Sequence, residues 1–194
     1  MRVISGTKKG KALQAVPGKE TRPTTDRVKE SVFNIIGPYF DGENILDLFA
    51  GSGGLGIEAL SRGAGYAVFI DNAGLAIQII RKNLQETQLL NQADIYRADW
   101  KTACDKLALQ SKQFDYVFLD PPYLAFRDQF FDILHTLLDK QLLSPNATIV
   151  YEHDSKHQLD ESSEKNSEII GRFTVNRYKY GTIGISVLRN KEEA

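Results

Sequence analysis

The stretch Asp47-Leu48-Phe49-Ala50-Gly51-Ser52-Gly53-Gly54-Leu55-Gly56 decides the fold. It leaves a short apolar run at 45–49, turns through clustered glycines and opens a helix near Gly54. Glycines at such a turn adopt positive φ and let the backbone pass close to a ligand. Outward from it, strand, turn and helix repeat. The spacing predicts strands at 66–70, 95–97, 114–119 and 147–152, separated by helices over 73–88, 100–110 and 125–139. Short apolar strands alternating with helices make a parallel sheet covered on both faces, with ligands bound at the carboxyl ends of the strands.

Upstream, residues 2–16 read as a β-hairpin around Gly6 and Gly10, followed by a linker from Pro17-Gly18. Thr24 and Thr25 stand as caps before a helix whose apolar positions are Val28, Val32, Phe33, Ile35 and Ile36. Downstream, 154–167 is polar and reads as a surface loop, and 173–188 as a hairpin about Gly181. The expected fold class is therefore α/β and Rossmann-like. It has a mostly parallel seven-stranded sheet with an antiparallel C-terminal hairpin, plus the N-terminal β-hairpin. Residues 1–21 form a basic hairpin and linker, and 22–194 one domain.

The chain has 194 residues, 42% hydrophobic and 25% charged, enough for one real core. No apolar run approaches the ~18 residues that span a bilayer, and no secretory signal is visible, so a cytoplasmic location is expected, with a monomer as the default. The lone Cys104 excludes an internal disulfide and reads as core filler. His135, His153 and His157 lack ligand spacing, so no metal is expected. Charge is unevenly spread. Residues 1–29 hold eight basic groups, among them Arg2, Lys8, Lys9, Lys11 and Arg22, against two acids. A basic arm on an acidic body suits a polyanion such as RNA; a merely solvated hairpin is the competing reading.

Gly51, Gly53 and Gly56 satisfy G-x-G-x-x-G, with Asp71 twenty residues beyond Gly51, so a dinucleotide is a candidate ligand. Two features argue against it. Asp47, at the strand end, suits a ligand with cationic groups and repels a pyrophosphate. The chain also has no room for a second substrate domain. The Asp-x-Phe-x-Gly-x-Gly pattern resembles motif I of class I methyltransferases, which implies S-adenosylmethionine. By that resemblance Asp71 accepts from the ribose hydroxyls and Asp99 meets the adenine amine, though Asp99 equally suits a helix N-cap. Phe49, Asn72 and Trp100 complete the implied cofactor set.

Asp120-Pro121-Pro122-Tyr123 follows the fourth strand. The two prolines fix φ and remove two backbone donors, leaving carbonyls and the Asp120 carboxylate as a cluster of acceptors. An exocyclic base amine is the complementary donor. It is a poor nucleophile because its lone pair is delocalised. Acceptance of both N–H bonds, by Asp120 and the Pro121 carbonyl, turns the lone pair toward a methyl donor and stabilises the charge that develops. Tyr123 offers a stacking face worth ~1–3 kcal/mol, and Phe126 either extends it or joins the core.

With these motifs in register, the chain resembles the RsmD family of guanine-N2 methyltransferases of bacterial 16S ribosomal RNA. The resemblance rests on Met1-Arg-Val-Ile-Ser-Gly, the block Arg22-Pro23-Thr24-Thr25-Asp26-Arg27-Val28-Lys29-Glu30, the glycine loop, Glu58-Ala59-Leu60-Ser61-Arg62-Gly63, and Asp120 to Tyr123. It implies that Thr24, Thr25 and Arg27 lie at the cofactor or the rim of the site, that the basic hairpin faces RNA, and that the partner is 16S ribosomal RNA in a small subunit or an assembly intermediate. Where some members have Glu-x-Asp after the second strand, this chain has Asp71-Asn72, which still supplies one acid. The rivals are an adenine-N6 methyltransferase on RNA or DNA, an inactive RNA-binding assembly protein, and an NAD oxidoreductase.

Overall fold

The computed structural model describes residues 1–17, 26–122, 129–156 and 163–191. Seven strands form one sheet: β1 Asn44–Asp47, β2 Tyr66–Asp71, β3 Ala93–Arg97, β4 Phe114–Leu119, β5 Leu143–Asp154, β6 Phe173–Tyr180 and β7 Ile183–Asn190. Their order is β3-β2-β1-β4-β5-β7-β6. The first five strands run parallel; β7 is antiparallel to both β5 and β6. The order reverses direction between β1 and β4, and that switch point is where a crevice opens in such sheets.

Among the described residues, six α-helices cover the sheet: α1 Asp26–Ile36, α2 Gly54–Ser61, α3 Gly74–Glu86, α4 Trp100–Leu109, α5 Phe130–Asp139 and α6 Glu164–Gly171. Because strand side chains alternate, each strand feeds two cores. Ile45, Phe69, Phe118, Val150 and Ile185 pack with Val32 and Phe33 of α1, Ile57 of α2 and Ile80 of α3. Leu46, Val68, Val117, Ile149 and Tyr151 pack with Cys104 of α4, Leu134 of α5 and Ile170 of α6. Cys104 is buried there, with its thiol pKa pushed up to about 12 by desolvation.

The sheet matches the seven-stranded expectation, and three local readings are corrected. The segment 154–167 is not wholly loop. Ser163 caps α6 by accepting from the Asn166 N–H at 3.1 Å, and Ile169 and Ile170 then reach the core. The N-terminal hairpin contains no regular strands. Its two limbs meet antiparallel at the single bridge Arg2–Ala12, with Val3 N–H donating to Lys11 O and Leu13 N–H to Met1 O. The third reading concerns length, since β5 begins four residues early. Its pairing with β4 shifts register between Phe114 and Tyr116, which accommodates Pro145.

The N-terminal arm docks on α2 because polar groups hold it there. Glu58 is fully buried and accepts from Ile4 N–H at 2.8 Å and Ser5 N–H at 2.9 Å. The same carboxylate pairs with Lys29 Nζ at 3.1 Å and Arg62 Nε at 2.8 Å. Gly6 sits against the end of α2 at φ +81°; a Cβ there would lie 1.7 Å from Ser61 O. Among the described residues no helix is long and apolar enough to cross a membrane.

Candidate active site

The carboxyl ends of β1, β2 and β4 open onto one cleft of about 340 Å³. Asp47, Phe49, Gly51, Asp71, Asn72, Asp99, Trp100, Asp120 and Pro122 all line it. Four stretches far apart in sequence thus meet at the switch point.

The glycine loop builds the floor. Gly51 has φ +54° and open space where a Cβ would be, so its backbone faces the cleft bare. Gly53 has φ +80° and packs toward Ile57, Phe69 and Ile80; it turns the chain into α2 and does not line the cleft. Gly56 is pressed on Phe69, whose ring would lie 2.4 Å from a Cβ. The three glycines therefore do different work: close approach, turn, and helix-to-strand packing.

Asp47 is 2% exposed and accepts from Gly56 N–H at 3.1 Å. Desolvation raises its pKa to about 7, with the neighbouring Asp71 adding to the rise and the Gly56 bond opposing it. A buried acid near neutrality at a cleft wall favours a cationic ligand and disfavours a pyrophosphate. Asp71 accepts from Gly51 N–H at 2.9 Å through Oδ2 and from Ala73 N–H at 2.9 Å through Oδ1. These bonds fix the orientation of a carboxylate that lines the cleft.

Asp99 is the N-cap of α4. It accepts from Thr102 N–H at 3.0 Å and Thr102 Oγ at 2.6 Å, and the Thr102 hydroxyl holds its carboxyl below the usual range. It also lines the cleft, so capping and ligand contact are compatible in one residue. Trp100 is buried, with its indole N–H donating to Gln129 Oε1 at 3.2 Å, which holds the ring at the cleft edge.

Asp120 is half-buried directly beyond β4; Pro121 is buried off the cleft and Pro122 exposed on it. Tyr123 and Phe126 lie outside the described residues, as do Arg22, Thr24 and Thr25. Arg27 is exposed on α1 and does not line the cleft, whereas Lys29, two residues on, does. Arg2, Lys9 and Lys11 are exposed on the arm and Lys8 half-buried, and Arg2 pairs with Asp26 at 3.3 Å.

Sequence reasoning missed Met1, Ala15 and Val16, which wall the cleft from the arm, and Ser52 in the loop. Three of them are small or apolar and carry no chemical signature, so only docking of the arm reveals them. Lys29 is different: it stands in the Arg22–Glu30 block, but a lysine on a helix carries no sign that it is buried and faces the cleft.

The comparisons agree with this geometry. The family model described as Conserved hypothetical protein 95 matches residues 1–181. The Bacillus subtilis protein YlbH is 47% identical over 193 residues, covering 98% of this chain and 100% of that one. Ribosomal RNA small subunit methyltransferase D of Haemophilus influenzae is 36% identical over 163 residues, covering 82% of this chain and 81% of that one. The solved structure of yhhF from Escherichia coli superposes with a TM-score of 0.81 at 27% identity, covering 100% and 99% of the two chains. With the family model spanning the arm, the glycine loop and the Asp120 motif alike, the chain belongs to the RsmD family, that of ribosomal RNA small subunit methyltransferase D.

Proposed function

We propose that this chain is an S-adenosylmethionine-dependent ribosomal RNA methyltransferase that modifies the N2 amine of a guanine in small-subunit RNA. The observation that carries the reading is the shared cleft: Asp120 opens onto the same space as Asp47, Asp71 and the bare glycine loop. The residues fit the cofactor. Asp47 offers a buried carboxyl to the amino group, Asp71 two oriented oxygens to the ribose, and Asp99 with Trp100 an acceptor and a ring to the adenine.

Bound there, S-adenosylmethionine supplies an electrophilic methyl group on a sulfonium. Asp120 accepts one N–H of the base amine, which aims the nitrogen lone pair at the methyl carbon; the Pro121 carbonyl would take the other only if its backbone turns into the cleft that its side chain does not line. Asp120 would stabilise the positive charge that develops on that nitrogen during transfer. The amine proton then leaves to Asp120 or to water. The guanine assignment comes from the family; the acceptor pair by itself serves an adenine amine equally. An unstacked loop base costs least to extrude, and the exposed Arg2, Lys9 and Lys11 supply contacts to phosphate.

The test is labelled methyl transfer to small ribosomal subunits from cells lacking this gene, followed by nucleoside analysis. N2-methylguanosine at one site supports the reading. N6-methyladenosine overturns the base assignment and keeps the chemistry. Cofactor binding without transfer to particles, free ribosomal RNA or DNA overturns the enzymatic reading.

A further inference from the structure

Asn83 lies on α3, fully buried and outside the cleft, yet its amide holds two walls of that cleft together. Its Oδ1 accepts from Gln14 N–H at 2.8 Å, and its Nδ2 donates to Gln14 O at 3.0 Å. The same Nδ2 donates to Ser52 O at 2.8 Å. Gln14 precedes Ala15 and Val16, which line the cleft from the arm; Ser52 lines it from the glycine loop. Met1 of the arm also reaches the loop, with its sulfur 4.0 Å from Ser52 Oγ.

The amide is matched to its place. One acceptor atom meets one N–H, and the two N–H groups of Nδ2 meet two carbonyls, so both sides of the side chain are used. A carboxylate of the same shape would press charge onto two carbonyl oxygens. A small apolar residue would leave one donor and two acceptors without this partner in a part-buried place. The arm that carries Lys8, Lys9 and Lys11 is therefore joined to the loop that builds the cleft floor through one side chain.

We propose that Asn83 is a positioning residue that links the basic arm to the cofactor loop, so that filling the cleft and ordering the arm are one equilibrium. The proposal rests on reading the cleft as an S-adenosylmethionine site. By linkage, a ligand in the cleft steadies the arm, and a partner holding the arm tightens the cleft, by the same factor. Asn83 touches no substrate in this scheme; it acts through Ser52 and Gln14.

The test uses S-adenosylhomocysteine and the full chain, with Asn83→Ala and Gln14→Pro. Gln14 is exposed, and proline there removes the N–H that Asn83 accepts while leaving Asn83 itself in place, so this variant keeps the question answerable if Asn83→Ala does not fold. Calorimetry is expected to show Kd raised about tenfold in each folded variant, with stoichiometry still near one. Simple loss of stability would lower the stoichiometry and leave Kd alone. The second readout is tryptic cleavage after Lys9 and Lys11. The ligand is expected to slow it several-fold in the wild-type chain and not in the variants. A folded variant with wild-type Kd and wild-type protection overturns the proposal. Absence of binding by the wild-type chain overturns the reading of the cleft, and the proposal with it.

Discussion

Asp47 and Asp120 stand on the same cleft in opposite roles. Asp47 is buried with a pKa of about 7, above its ordinary 3.8, so the folded chain holds a proton that the unfolded chain releases. Stability therefore falls as pH rises from about 4 to about 7 and stays lost above that, by roughly 4 kcal/mol in all. Asp47→Asn keeps an acceptor for Gly56 N–H and is expected to raise the melting temperature at pH 8 but not at pH 4. Cofactor binding runs the other way, because the ammonium group needs the ionised acid. Affinity for S-adenosylhomocysteine is expected to weaken as pH drops below 7, approaching tenfold per unit, and calorimetry from pH 8 to pH 6 checks it. Asp120→Ala should lose about 10²-fold or more in methyl transfer with cofactor Kd unchanged, as befits a contact realised in the transition state. Single-turnover rates and binding isotherms separate the two. The carboxylates at 47, 71 and 120 were legible as cleft-lining acids because each stands at or just beyond the carboxyl end of an apolar strand.

At the scale of elements, the glycine loop and α2 are one unit. Gly56 lets α2 lie on Phe69 of β2 while its N–H reaches Asp47. Gly56→Ala puts a Cβ 2.4 Å from a fully buried ring, and overpacking of that kind costs about 1–3 kcal/mol. The helix must shift, so weaker cofactor binding is expected along with a lower midpoint in urea; an unchanged midpoint would show that the loop gives way easily. The strands and most helices were readable from period alone. α6 was not, because its window is polar except for Ile169 and Ile170, and only their burial makes it a helix worth forming. The arm read as a hairpin but is held by side chains of α2 and α3 in place of a strand ladder, a fact its own residues do not carry.

For the molecule as a whole, Glu58 joins arm, α1 and α2 at one buried carboxylate. Burial lowers the pKa of Lys29 in spite of the Glu58 partner, so the cluster balances desolvation against pairing. Removing the acid leaves two buried cations uncompensated. Glu58→Ala is expected to cost about 3–5 kcal/mol in urea denaturation, more than a surface pair could. If the loss is below 1 kcal/mol, the cluster is not what holds the arm.

By itself the sequence determined the class of fold, the switch-point cleft and the acids that face it. Those follow from local period and from residue types placed at strand ends, which act over a few residues. Only the tertiary structure decided that the arm is a wall of that cleft, that Glu58 and Asn83 fasten it, and that Lys29 faces inward. The bonds involved span 27 to 69 residues. A buried carboxylate or amide on a helix has no local signature; its meaning appears when distant backbone donors and acceptors arrive around it, since groups removed from water must find partners in the fold.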